Sequence, residues 1–456
     1  MREAAADSAW LLAALFLPLA ALLEAARAFG LDPAALQAAP RTWFYVPLFL
    51  PALAAPTYGR LRAVLWAGAA LAALYRFCPA RGKLAAVAAL SAAYAAWLLS
   101  PLQAAACAAA LVLVWGGACA PGRLVRLACG AAGLAALWAA LASGLPTQPA
   151  FRWRFAGFVT IRAFSFWFDS RDPLLELRFL DYAVYMLGGF PGTLTNIWYA
   201  FSDFSRSFRA SGYRAVAAPG VKLIYAGLAK WAVAFAVELH WPAFSRPWLS
   251  LADLAGGGLW AASAAGFALF LLRIVGIYQL AQGSLRLFGF AVSDQADKPW
   301  LASSPLDFWR RVSTHNRMFV LKYASIPVFR RWRWTAVALL AAFGASLLIN
   351  VGINQATFTL PWPLRQRWLE SWALEYVLFT ALCGAELVAR RASAGPWLGP
   401  GREPRGWRRA AMVGVTLVLM TLTFAPGAGV LRLSAAPSAG AFAADWTGFY
   451  KRMLRP

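Results

Sequence analysis

The chain has 456 residues, of which 61% are hydrophobic and only 14% charged, against about 25% charged residues in an ordinary soluble domain. This excludes a soluble multidomain protein and predicts an all-α, polytopic integral membrane protein, because a spanning helix needs about 20 mainly apolar residues. The net charge of +24 would suit nucleic acid, but the arginines fall between apolar runs, as in cytoplasmic loops, so no nucleic-acid partner is expected.

The first apolar run, Ala9 to about Leu23, follows a start holding Arg2, Glu3 and Asp7. It reads as a first transmembrane helix rather than a cleavable signal, which needs a positive leader and a small-residue cleavage site. Further apolar runs lie near 43–57, 61–77, 84–100, 103–120 and 124–143. Residues 1–150 therefore read as an Ala/Leu-rich transmembrane bundle packed through small residues. The loops with Arg76, Arg81 and Lys83 and with Arg123 and Arg126 are expected to be cytoplasmic, and the uncharged Ser100–Gln103 segment to face outside. The same alternation puts Arg60 and Arg62 on the outer side. The cysteines Cys78, Cys107, Cys119, Cys129 and Cys383 form no CxxC pair, so neither a disulfide framework nor a metal site is indicated.

After residue 150 polar groups enter the apolar stretches: Arg162, Asp169, Asp181, Asn196, Lys230, Glu238, Arg273, Gln279, Asn350, Glu375 and Glu386. Ionisable groups in a bilayer are costly and mark cavities or partners, which places the working core at 151–391. Stretches 203–214 and 392–409 read as basic cytoplasmic loops, and a last helix is expected near 410–426, within a tail region 392–456. The absence of an internal repeat argues against an inverted-repeat transporter.

The densest segment is SPLDFWRRVSTHNRMFVLKYASIPVFRRWRW, from Ser304 to Trp334. Ser304 reads as a helix cap with Pro305 at the first helical position. The segment is either an interfacial amphipathic helix or a re-entrant one that presents polar groups to a cavity. It carries His315, one of two histidines in the chain, whose chemistry suits a general base near neutral pH. The other, His240, lies beside Trp241 and Pro242 and reads as a loop residue.

DFWRRVSTHNRMFVLKYASIPV resembles the signature segment of the membrane-bound O-acyltransferase (MBOAT) family. The match is nearest to the bacterial branch of alginate O-acetyltransferases and D-alanyl transferases. GFVTIRAFSFWFDSR, FLDYAVYMLGGFPGTLTNIWYAFSDF and GIYQLAQGSLRLFGFAVSDQADKPWLA are similar to further blocks of that family, in the same order. The resemblance covers about 155–391. It implies an MBOAT-like bundle of about 11–13 transmembrane or re-entrant helices around a tunnel, in a bacterial inner membrane. It also implies transfer of an acyl group, such as acetyl, to a hydroxyl of an exported glycan or lipid. The acyl thioester is a co-substrate from a donor or carrier on the cytoplasmic side, with no bound cofactor, and the partners are membrane lipid, the acceptor and cell-envelope export proteins.

The resemblance departs at the family's histidine positions, which here hold Ser313, Asn350 and Cys383. Gln279 stands where the family has Asp, and Asp294, Gln295 and Asp297 replace an Asn-rich turn. The expected catalytic pair is His315 as base and Asn350 as an orienting hydrogen-bond partner. Trp309, Arg310, Arg311, Asn316 and Gln279 are the expected substrate-binding residues. On a continuous helix, His315 would lie two residues, about 200°, from the family's register. Cys383 is either an acyl-accepting nucleophile or a packing residue. The alternative reading is a catalytically degenerate relative that binds lipid or glycan, or assembles an export complex.

Overall fold

The computed structural model describes residues 2–30, 58–98, 101–142, 149–187, 198–208, 212–240, 256–357, 375–389, 406–430 and 451. Among them the regular structure is helical, with one isolated bridge between Phe208 and Phe290. In chain order the α-helices are α1 (Arg2–Leu11), α2 (Leu17–Ala28), α3 (Tyr58–Phe77), α4 (Ala80–Leu98), α5 (Pro101–Cys119) and α6 (Arg123–Ala142). Then come α7 (Pro149–Asp169), α8 (Phe179–Leu187), α9 (Phe201–Ser207), α10 (Tyr213–His240) and α11 (Gly256–Leu287). The rest are α12 (Pro305–Val312), α13 (Thr314–Val320), α14 (Ile326–Trp332), α15 (Thr335–Thr357), α16 (375–389) and α17 (Trp407–Val430). Among the described residues four helical segments are long and apolar enough to cross a membrane: Arg2–Ala28, Leu102–Cys119, Arg123–Ala140 and Gly257–Leu287. The apolar runs read from 61 to 143 fall on α3 to α6. The run at 43–57 and Asn196 lie outside the described residues.

Backbone contacts divide the chain into two compact units. One comprises Met1–Leu228 with Ile277–Ser293, the other Ala229–Gly276 with Asp294–Pro456. Both α10 and α11 supply part of each.

In the first unit, α1 and α2 are joined by a π turn, Leu12–Phe16, directly ahead of Pro18. Proline cannot donate to the carbonyl four residues back, so the Ala14 carbonyl loses its helical partner. The Tyr225 hydroxyl replaces it, donating to Ala14 O at 2.7 Å. Small residues let helices meet backbone to backbone. A Cβ on Gly283 would stand 2.6 Å from the Gly220 carbonyl oxygen, and one on Gly133 2.8 Å from that of Ala110. The second contact joins α5 and α6, adjacent antiparallel neighbours of the kind expected for the Ala/Leu-rich bundle. Arg62 forms an ion pair with Glu24, so its charge on α3 is matched locally.

The same unit holds an aromatic core of Trp115, Phe166, Tyr182, Tyr185, Phe201 and Phe204. Buried tyrosines need acceptors, and Tyr182 and Tyr185 donate to the carbonyls of Leu111 and Tyr199 at 2.6 and 2.7 Å. The stretch read as a loop at 203–214 instead begins inside α9, whose Phe201, Ser202, Phe204 and Ser207 are buried. A helix this short survives because α7 caps it. Ser165 Oγ accepts from Phe201 N–H and Asp169 Oδ2 from Ser202 N–H, each at 2.9 Å.

The second unit has a core of Phe267, Leu271, Ala302, Phe308, Phe343, Phe379, Cys383 and Met420. It joins α11, α12, α15, α16 and α17. Its polar side is the segment 294–332.

Candidate functional site

The site is built on α12 and α13 and on the loop 294–298 that precedes them. At the start of α12 every free backbone donor has an assigned acceptor. Pro305 has no N–H. Leu306 N–H donates to Glu386 Oε2 at 2.9 Å, and Asp307 N–H to Ser304 Oγ at 3.1 Å. Asp307 Oδ2 accepts in return from the Ser303 N–H at 3.1 Å. The expected Ser304 cap is therefore present, with Glu386 of α16 as a second acceptor that local spacing could not reveal.

The helix does not continue to His315. It ends at Val312, and Ser313 takes φ −149° and ψ 53° before α13 starts at Thr314. The 200° offset expected for a continuous helix therefore does not apply: the break resets the register. Gln295 holds the new start. Its backbone carbonyl accepts from Thr314 N–H at 2.8 Å and its side-chain Oε1 from His315 N–H at 2.7 Å. Asp297 N–H donates to the Arg311 carbonyl at 2.8 Å. Lys298 follows in the left-handed region at φ 44°, which costs a non-glycine residue about 1 kcal/mol.

The arginines expected to meet substrate are both matched by carboxylates. Arg311 Nε donates to Asp307 Oδ2 at 2.9 Å and its Nη1 to Asp297 Oδ2 at 3.2 Å. Arg310 Nε donates to Asp307 Oδ1 at 3.0 Å, and its side chain remains exposed. Burial by itself would raise the Asp307 pKa, but hydrogen bonds from Arg311, the Ser303 backbone and Arg310 outweigh it and hold the carboxyl below its ordinary value. Burial, helped by the like charge of Arg310, lowers the Arg317 pKa.

Trp309 packs on Phe343, with ring centroids 4.8 Å apart, against the apolar core. His315 is half-buried and Asn316 buried. Asn350 is on α15, a helix that packs against α13, but its side chain lies outside the described residues. Gln279, half-buried on α11, belongs to the first unit. One stretch thus brings together Trp309, Arg310, Arg311, His315 and Asn316. Cys383 is fully buried in the apolar core, a setting in which a thiol is inert. Among the described residues no group of three or more His, Cys, Asp or Glu side chains could hold a metal ion.

The sequence reading gave no role to Gln295, which is fully buried. Its Nε2 has no hydrogen-bond partner. Rotating the amide would bring that NH2 against the His315 N–H, so the orientation is fixed by the cap. The available signal was the polar cluster Ser293-Asp294-Gln295-Ala296-Asp297 ahead of Pro299. A scan of protein-family models and of curated proteins finds no match to this chain.

Proposed function

We propose that the chain is a multi-pass membrane O-acyltransferase that moves an acyl group from a thioester to a hydroxyl of a glycan or lipid. The observation that carries this reading is the unused amide donor of Gln295 beside the start of the His315 helix. A buried donor without an acceptor costs about 1–3 kcal/mol, a cost that a site can recover by binding an oxygen. In the proposed step the His315 imidazole takes the acceptor's O–H proton while that oxygen attacks the thioester carbonyl carbon. The Gln295 NH2 donates to the carbonyl oxygen as it gains negative charge. The C–S bond then breaks, and the thiolate leaves with the proton held by His315, giving ester and thiol. Asn350 would orient the acceptor. The membrane setting is supported by four helices of spanning length and by exposed apolar side chains such as Leu102, Leu124 and Leu348.

The test is acyl transfer from a short-chain acyl thioester by the full-length chain in detergent, read as released thiol and as ester formed on added hydroxyl acceptors. His315→Ala should lower transfer by about a hundredfold or more. Gln295→Glu keeps the accepting oxygen of the cap, removes the NH2, and should lower it by about a hundredfold. Asn350→Ala should raise the KM for the acceptor. Wild-type rates in His315→Ala would sink the assignment.

A second reading, a non-catalytic relative that binds lipid or glycan or assembles an export complex, is favoured by two observations. Arg310 and Arg311 are occupied by Asp307 and Asp297, and Cys383 is sealed in the core. Binding of acceptor lipid or glycan without any acyl transfer by the wild type would support it.

A further inference from the structure

We infer that the first unit contains a site for a phosphate oxyanion, built on Arg76 and Tyr213 at the expected cytoplasmic end of α3. Arg76 lies in the last turn of the apolar helix α3 but is buried, with 5% of its surface exposed. Its guanidinium carbon lies 3.4 Å from the centroid of the Tyr213 ring and 4.8 Å from that of Tyr75. The rings satisfy the faces of the cation and leave its N–H edge for in-plane acceptors. No described residue supplies one: Arg76 Nε is buried without a hydrogen-bond partner, and Arg76 is in no ion pair among the described residues.

A second orphan stands beside it. The Tyr213 hydroxyl is also buried without a partner, on a residue with 6% of its surface exposed. The neighbouring Tyr75 hydroxyl shows the ordinary alternative, since it donates to the Phe288 carbonyl at 2.8 Å. Two adjacent buried donors without acceptors cost about 1–3 kcal/mol each, a cost that a bound oxyanion recovers.

The surrounding charges select the ligand. Arg76 and Lys83 repel each other while Asp7 and Glu3 oppose them, and of those two carboxylates Asp7 is already paired with Arg214 at 2.7 Å. The site therefore carries excess positive charge. A guanidinium edge beside a hydroxyl matches a tetrahedral oxyanion with several acceptor oxygens. Basic pockets between helices at a cytoplasmic membrane face take phosphate in this manner, whether it belongs to an anionic lipid headgroup or is free in solution.

The test follows thermal unfolding of the full-length chain in an uncharged detergent at constant ionic strength. Sodium phosphate or dioleoylphosphatidylglycerol is titrated, with sodium chloride and dioleoylphosphatidylcholine as controls. Stabilisation by phosphate identifies a soluble anion, and stabilisation by phosphatidylglycerol alone identifies a headgroup. Arg76→Gln should raise the half-saturating concentration about tenfold or more, and Tyr213→Phe about threefold or more. Tyr213→Phe keeps the ring under the guanidinium and removes only the orphan hydroxyl, so it decides the matter even where Arg76→Gln does not fold. The site is overturned if neither ligand stabilises the wild type more than its control, or if Tyr213→Phe titrates like the wild type.

Discussion

Four polar residues in or near apolar helices act here as helix caps. Asp169 and Ser165 close the start of α9, Glu386 closes the start of α12, and Gln295 closes the start of α13. A carboxylate in an apolar run raises a functional expectation because its burial is costly. The free N–H groups at a helix start supply a partner that offsets much of that cost. Gln295 differs from the others because only its accepting oxygen is used. Gln295→Leu should destabilise the chain by about 1–2 kcal/mol through loss of the side-chain cap, measured as a lower unfolding midpoint in detergent. A midpoint equal to the wild type would show that the buried amide does not hold α13. Gln295 was visible in the sequence only as part of a polar turn, because its partner, the His315 N–H, is twenty residues away.

Helix α12 couples its own start to its own end. Asp307 accepts from Ser303 near the start of the helix, and from Arg310 and Arg311 in its last turn. Its pKa is held down in the fold. The resulting stabilisation is present above the unfolded value, about 3.9, and is lost as pH falls through the lower folded value. The stability difference between wild type and Asp307→Asn should therefore be full near pH 6 and shrink below about pH 4. A difference independent of pH from 6 to 3 would remove the ion-pair explanation. The contact between α10 and α11 in the first unit is set by a different cause. A Cβ at Gly283 would fall 2.6 Å from both the Gly220 carbonyl oxygen and Ile224 Cγ1, and 3.1 Å from the Ile224 backbone nitrogen. Backbone cannot yield as a flexible side chain can, so Gly283→Ala should force the helices apart and lower stability by about 1–3 kcal/mol. Gly344→Ala, with open space around the added carbon, is the control and should be neutral or slightly stabilising.

Across the whole chain, the loop charges predict an orientation. With native cysteines replaced, Gly122→Cys in the basic α5–α6 turn should be shielded from a membrane-impermeant thiol reagent in intact cells. Leu102→Cys, at the other end of α5 and exposed, should react. The reverse pattern would invert the proposed topology. Helix content and the positions of α3 to α6 and α17 were legible from apolar runs and their length, because each helix satisfies its own backbone and needs only an apolar run. The stretch at 203–214 was misread because α9 has too few residues to show a period, and it is stabilised by acceptors from α7. The cap at Ser304 was legible because its partner, the Asp307 N–H, is three residues away.

The sequence by itself determined that the described part of the chain is helical, that its apolar runs lie where α3 to α6 form, and that polar residues enter the apolar stretches after residue 150. These properties follow from composition and local spacing. Only the tertiary structure decided that α12 breaks at Ser313, that Gln295 holds His315, and that Arg310 and Arg311 are matched by carboxylates. It alone also showed that Arg76 Nε and the Tyr213 hydroxyl share a buried corner with no acceptor among the described residues. The physical reason is common to all four. Each turns on whether a polar group meets a partner in space, and the distance along the chain to that partner carries no signal in a single sequence.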